Sequence, residues 1–353
     1  MNLIKTNEYN IYFITEKTNI LHNYISKYSK IFLLTDEIIY ENCFDVFLNT
    51  FSIDKELLNI IKIKSGEKEK NLETCSFIWN YLTENKADRN SLLINLGGGV
   101  VSDMGGFCAS IFKRGIDFLN IPTTLLAQVD ASVGAKTGID FNGLKNQIGT
   151  FTNPIAIFIN PNFLKTLDKR NLLSGYAEML KHGLLKGTEY FNEIIDLDLF
   201  NSNLETLIYK SVEIKKEVVE KDPFEKSIRK TLNLGHTIGH AIESYFLMNK
   251  SEKALLHGES VAIGIICELY LSNKIKNFPM KDLEVIKNKI TSKFGFNKIE
   301  ENELQAILSF MKNDKKNTIN KINFVLLENI GYPYIDNFIE ENEILEAIRY
   351  YSN

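Results

Sequence analysis

Along the first half of the chain, short unbroken apolar runs alternate with stretches whose apolar residues recur every three or four positions. Residues 30–36, 57–64, 91–96 and 117–121 have the length and continuity of strands buried on both faces. Residues 72–85 place Leu72, Cys75, Phe77, Ile78, Trp79 and Leu82 at helical spacing. This alternation predicts a parallel sheet covered by helices on both faces. After about residue 170 the texture changes. Residues 171–185, 204–220, 232–246, 256–273, 282–294, 302–311 and 341–351 all carry the spacing of amphipathic helices, interrupted by one strand over 321–327. The pattern therefore predicts an α/β domain over 1–170 and a mostly α-helical domain over 171–353.

Composition narrows the function classes. Basic residues number 41 and acidic residues 45, a net charge of −4. That excludes the basic whole-protein footprint of a nucleic-acid binder and leaves room for local phosphate sites. No apolar run approaches the roughly 18 residues of a membrane span, and residues 1–12 lack the apolar block of a secretory signal. Cys43, Cys75, Cys108 and Cys267 are widely dispersed. They read as reduced, buried thiols of a cytoplasmic protein, because cysteine metal pairs sit about two to four residues apart.

The strand over 91–96 runs straight into Gly97-Gly98-Gly99-Val100-Val101-Ser102-Asp103 and then an apolar helix. Glycines at a strand end let backbone N–H groups approach a phosphate, and the next helix offers its positive N-terminus. The full GxGxxG spacing is missing, since Ser102 takes the sixth place, and tight packing turns use glycine too. Glu67 and Lys70 lie in a charged loop after a strand, suited to a nucleotide or simply solvated. Asp36, Thr123 and Thr124 stand at strand ends, where they suit ribose or phosphate or act as helix caps and turn residues. Asp130 and Lys136, then Lys145 and Asn146, fall in two small-residue loops whose lysines suit an anionic ligand.

Five histidines are present: His22, His182, His236, His240 and His257. His236 and His240 are four apart and share a helix face. The motif is not HExxH, because Thr237 stands where the glutamate belongs. Glu178 offers an oxygen ligand, and Lys181, three residues on, faces the same pocket or forms a surface ion pair with it. Three protein ligands with an open position make a catalytic metal site. Beside a nucleotide loop this suggests metal-assisted redox chemistry. Lys215, Glu225, Arg229 and Asn233 follow, and an arginine near metal-binding histidines suits a carboxylate or phosphate.

Taken together, these motifs resemble the 3-dehydroquinate synthase family. The matching stretches are Gly97–Asp103 with Gly106-Phe107, residues 121–130, Gly134-Ala-Lys-Thr-Gly138, Lys145-Asn146 with Gly149, Ala177-Glu178, Lys181-His182-Gly183, residues 229–243, His257-Gly-Glu259 and Asp314-Lys-Lys316. They cover most of the chain, in order. The resemblance implies a Rossmann-like NAD-binding domain followed by an α-helical metal-binding domain. It implies conversion of 3-deoxy-D-arabino-heptulosonate 7-phosphate to 3-dehydroquinate and phosphate, a step of the shikimate pathway, by a cytoplasmic homodimer. It implies that Glu178, His236 and His257 bind zinc, or cobalt in its place. It places Asp130, Lys136, Asn146, Lys181, Lys215, Arg229, Asn233, His240 and one of Lys315 or Lys316 around the substrate. Arg114 from a second subunit then reaches the substrate phosphate. Asp36, Glu67, Lys70, Gly99, Val100, Val101, Ser102, Asp103, Thr123, Thr124, Lys136 and Lys145 fall to NAD. Two departures stand out: Asp140-Phe-Asn-Gly-Leu where the family often has Asn-His-Pro, and a longer spacing from His240 to His257 that places residues 251–253 in an extra loop.

Rival readings are another sugar-phosphate cyclase, a metal-dependent polyol dehydrogenase and a binding protein without turnover. Arg229 with Asn233 favours a substrate carboxylate, which the other cyclases' substrates lack. The dehydrogenases usually place Asp where Glu178 stands. The intact set Glu178, Lys181, Arg229, His236 and His257 speaks against a binding protein.

Overall fold

The computed structural model describes residues 2–142, 144–312 and 321–353. It divides into two compact units, Met1–Asp168 and Lys169–Asn353.

The N-terminal unit contains, in chain order, β1 (Asn2–Lys5), β2 (Asn10–Phe13), α1 (His22–Ile25), β3 (Lys30–Asp36), α2 (Glu37–Phe51), β4 (Leu58–Ile63), α3 (Leu72–Glu84), β5 (Ser91–Gly97), α4 (Gly99–Ile111), β6 (Asp117–Pro122), β7 (Lys136–Phe141), β8 (Leu144–Phe151) and β9 (Ala156–Ile159). Seven strands form one sheet in the order β1-β2-β9-β6-β5-β3-β4. All neighbours run parallel except β1 and β2. Successive β3 side chains point to opposite faces. Leu33 packs with Phe44, Phe47 and Phe51 of α2, while Phe32 and Leu34 pack with Ile78 and Leu82 of α3 and Met104 of α4. Both faces are thus dry, which is why these strands read as unbroken apolar runs. The order β4-β3-β5-β6-β9 is the 2-1-3-4-5 arrangement of doubly wound sheets, whose ligand crevice opens beyond the carboxyl ends of the strands flanking the switch point, here β3 and β5.

Residues 128–149, expected as two loops, are more regular than that. A single π-helical turn spans Ala127–Ala131, and β7 and β8 form an antiparallel hairpin outside the main sheet. Gly138 opposes Gly149, and a Cβ on Gly149 would fall 2.1 Å from the Thr137 carbonyl oxygen. The small residues that resembled loop composition are what lets the two strands approach. The four-residue strands β1, β2 and β9 were too short to show a period.

The C-terminal unit contains α5 (Lys169–Lys186), α6 (Thr188–Ile195), α7 (Glu205–Lys221), α8 (His236–Asn249), α9 (His257–Lys276), α10 (Met280–Phe294), α11 (Leu304–Lys312), the hairpin β10 (Lys321–Asn329) and β11 (Tyr332–Glu340), and α12 (Glu341–Ser352). α9 is its central element, packed by α5, α8, α10, α12 and β10, and buried along most of its length. β11 was not expected from the sequence. Its Pro333 and the left-handed Asp336 (φ +60°) disguise a strand that is mostly solvated.

Candidate functional site

In the N-terminal unit the nucleotide-type residues gather at the carboxyl ends of the parallel strands. Asp36 ends β3. Its Oδ1 caps α2 by accepting the Ile39 N–H at 3.0 Å, and it accepts the Ser65 hydroxyl at 2.6 Å. Gly97 ends β5 and Gly99 opens α4, so the glycine run leads directly into a helix N-terminus. Val101 is buried against Gly97, and Ser102 returns its hydroxyl to the Gly99 carbonyl at 3.1 Å. Thr123 is buried and donates its N–H to the Gly97 carbonyl at 3.0 Å, while Thr124 Oγ1 accepts the Ala127 N–H at 3.2 Å. Val100 lies in the first turn of α4, Asp130 in the turn after β6, and Lys136 is exposed at the start of β7.

A charged network joins the loop after β4 to this helix and the hairpin. Lys70 is buried. Its Nζ lies 2.7 Å from Asp103 Oδ2 on α4 and 2.6 Å from Asn146 Oδ1 on β8. Burial pulls the Lys70 ammonium down, but Asp103 and then Glu67 outweigh it and hold it above its ordinary value. Lys145 Nζ lies 2.9 Å from Glu67 Oε1. The residues expected from a solvated charge run are therefore an organised cluster. Asp140, in the atypical stretch, accepts the Asn146 N–H at 2.8 Å and so supports the left-handed backbone of Asn146 within β8 (φ +51°).

In the C-terminal unit α5, α7, α8 and α9 supply the second cluster. Glu178 and Lys181 lie one turn apart on α5, both fully buried and ion-paired, so this is not a surface i,i+3 bridge. His236 is the first residue of α8 and His257 the first of α9. Glu178 Oε1 lies 3.4 Å from Nε2 of His236 and 3.4 Å from Nε2 of His257. His240, one turn along α8, has its ring centroid 5.1 Å from that of His236 and 5.5 Å from that of His257. The three histidines bring one ring nitrogen each within 4.8 Å of one another.

Local backbone explains the placement. Gly235 adopts φ +79° before α8, where a Cβ would meet Ile265 Cγ1 at 2.6 Å. Gly258 lets α9 start against α5, since a Cβ there would sit 2.0 Å from the Ser174 carbonyl oxygen. Residues 251–253, expected as an extra loop, form a short 3₁₀ turn between α8 and α9.

Electrostatics separates the histidines. Burial and the Lys181 ammonium push His236 down to about 4, which keeps it in the neutral form that binds metals. Burial also pulls on His257, but the carboxylates of Glu243 and Glu178 outweigh it and hold it at about 9. A tetrahedral cation bound at about 2.1 Å keeps its donors roughly 3.4 Å apart. Both Glu178–histidine separations match, so these side chains fit a zinc-sized divalent cation.

Lys215 is buried on α7. Arg229 is buried in the turn Ile228–Asn233, with its N–H 3.1 Å from Asp222 Oδ2 and Nη1 2.5 Å from the Pro223 carbonyl. Asn233 Nδ2 donates to Glu225 Oε1 at 2.6 Å. Lys315 and Lys316 lie outside the described residues. Sequence reasoning passed over Asp222, Glu243 and Glu268, and it left His182 without a role. His182 is fully buried on α5, with Nδ1 2.7 Å from the Ser211 hydroxyl of α7. A lone glutamate inside the apolar run of α9 was the one readable signal for Glu268.

The model for the 3-dehydroquinate synthase N-terminal domain matches residues 60–174, and that for its C-terminal domain matches residues 175–317. The chain belongs to the 3-dehydroquinate synthase family. The 3-dehydroquinate synthase of Parabacteroides distasonis is 44% identical over 328 residues, covering 92% of each chain. That of Campylobacter concisus is 45% identical over 293 residues, covering 82% of this chain and 83% of its own. A solved 2-deoxy-scyllo-inosose synthase, complexed with carbaglucose-6-phosphate, NAD+ and Co2+, superposes with a TM-score of 0.85 at 22% identity and covers 99% of both chains. The activity and the two-part α/β and helical fold expected from the sequence are those of the family. No helix of the described residues is long and apolar enough to cross a membrane.

Proposed function

We propose that the chain converts 3-deoxy-D-arabino-heptulosonate 7-phosphate to 3-dehydroquinate and phosphate, using NAD and a divalent cation, zinc or cobalt. The observation that carries the metal assignment is Glu178 Oε1 at 3.4 Å from both His236 and His257. The NAD+ and Co2+ of the solved 2-deoxy-scyllo-inosose synthase support the cofactor pair. Identity separates the substrates: the curated 3-dehydroquinate synthases reach 44–45%, against 22% for that cyclase.

In this reading Glu178, His236 and His257 hold the cation, and His240 belongs to the substrate. NAD lies over Gly99–Asp103, with Asp36, Thr123 and Thr124 at neighbouring strand ends and Glu67, Lys70 and Lys145 beside it. When bound, the cation acidifies a substrate hydroxyl and NAD takes up and returns a hydride, so no net oxidation results. The remaining assignments concern binding and orientation. Lys181 and Lys215 bring buried positive charge to an anionic substrate. Arg229, with Nη1 donating to the Pro223 carbonyl, presents a planar fork to its carboxylate, and Asn233 is oriented by Glu225. Asp130, Lys136 and Asn146 complete the substrate set, and immobilising the intermediate lowers the barrier to ring closure. Four unbonded, buried cysteines suit a cytoplasmic enzyme. The assembly is a homodimer in which Arg114 of a second copy reaches the substrate phosphate.

The test is phosphate release from the heptulosonate phosphate with zinc and a catalytic quantity of NAD. Phosphate should accumulate while NADH absorbance stays flat. NADH rising in step with substrate loss would instead identify a polyol dehydrogenase.

A further inference from the structure

We propose that Glu243 is a positioning residue for the metal site, holding His257 by Nδ1 so that its Nε2 faces Glu178. The proposal rests on the reading of Glu178, His236 and His257 as ligands. His257 Nδ1 lies 3.2 Å from Glu243 Oε2, and Glu243 is 5% exposed. His236 and Glu243 are seven residues apart on α8, two helical turns, so both point to one side of that helix. α8 therefore supplies one ligand directly and steers a second from the neighbouring helix. The backbone beside His257 is fixed as well: the Gly258 N–H donates to Ser174 Oγ at 2.9 Å, one turn before Glu178 on α5.

The two histidines are anchored differently. His236 Nδ1 lies 3.0 Å from the Leu234 carbonyl, a neutral acceptor. His257 has a carboxylate. With a cation bound, the partner at Nδ1 keeps the N–H on that nitrogen in both rings and leaves Nε2 as the electron-pair donor. A carboxylate acceptor also makes the imidazole a stronger donor, and loss of such outer partners typically weakens metal binding about 10–100-fold. Glu243 thus does for His257 what no neutral anchor does for His236.

The experiment measures zinc affinity by competition with a chromophoric chelator, and the visible spectrum of the cobalt-loaded protein, for wild type, Glu243→Gln and Glu243→Ala. Circular dichroism and thermal melting of the metal-free proteins report folding separately. Glu243→Ala should bind zinc about 10–100-fold more weakly and shift the cobalt bands. Glu243→Gln keeps an acceptor without the charge and should fall between. Zinc affinity within about twofold of wild type in both variants, with unchanged cobalt bands, would overturn the proposal. If Glu243→Ala does not fold, Glu243→Gln alone decides on the same two readouts. Wild-type zinc affinity that survives His257→Ala would overturn the metal reading itself, and the role of Glu243 with it.

Discussion

Glu268 accepts the backbone N–H of Gly235 at 2.6 Å, reaching it from the middle of α9. Its other oxygen lies 3.4 Å from the Ile238 N–H. Gly235 has no side chain with which to cap α8, so Glu268 caps that helix from a different element. The same helix α9 thus provides His257 at its start and fixes the turn carrying His236 three turns later. Glu268→Leu should remove the acceptor and leave buried N–H groups unsatisfied, costing about 1–3 kcal/mol. Urea unfolding of the metal-free protein measures it. A loss below about 0.5 kcal/mol would mean that water or a shifted neighbour satisfies the turn.

The pH dependence of Glu268 has a definite sign. Burial raises its carboxyl from 4.5 to about 8, against the pull of the Gly235, Ile238 and Thr237 N–H groups. Between those values the folded chain holds a proton that the unfolded chain has released. Stability contributed by this group is therefore full below about 4.5 and declines as pH rises toward 8. Glu268→Gln should flatten that part of the stability profile, as read from denaturation midpoints at pH 5, 6.5 and 8. An unchanged slope would show that the group does not titrate in this window.

Asp222 has the opposite sign. Burial opposes its ionisation, but the N–H groups of Lys226, Ser227 and Arg229 win and hold its carboxyl down at about 2, below the ordinary 3.8. Its contribution should be present above about 4 and disappear as pH falls toward 2. Asp222→Asn should be less stable than wild type at pH 6, and the gap should narrow below pH 4. A gap that stays constant would assign the loss to packing rather than to the charge.

The parallel sheet was readable because β3, β5 and β6 are dry on both faces, which forces apolar runs such as residues 31–34 and 92–94. The grouping of the histidines was readable because His236, His240 and His257 stand near one another in sequence, and Glu178, which lies against two of them, belongs to a matching motif. What could not be read depends on pairings between distant segments. Nothing in residues 65–70 says that Lys70 meets Asp103 and Asn146, so a network built around a buried lysine looked like a solvated charge run. Glu243 and Glu268 act through neighbours on another helix, and a helical pattern records only which side is apolar. The hairpin β7–β8 was hidden because the glycines that bring its strands together also have loop composition.

If the guanidinium of Arg229 pairs with the substrate carboxylate, Arg229→Lys should not be conservative. Arg229 is 2% exposed and its Nη1 donates to the Pro223 carbonyl, so the planar group is oriented before substrate arrives, while its backbone N–H fixes the turn through Asp222. Lysine offers a point charge without the two-pronged geometry. Removing one partner of a buried charged pair costs on the order of 2–5 kcal/mol. At about 1.36 kcal/mol per tenfold, kcat/KM for Arg229→Ala should fall by roughly thirtyfold or more. A substrate analogue without its carboxylate should bind wild type poorly and lose little more in Arg229→Ala. Calorimetric titration of both ligands against both proteins completes the cycle. Equal weakening of the two ligands by the mutation would show that Arg229 does not read the carboxylate, and the argument against carboxylate-free substrates would then rest on sequence identity alone.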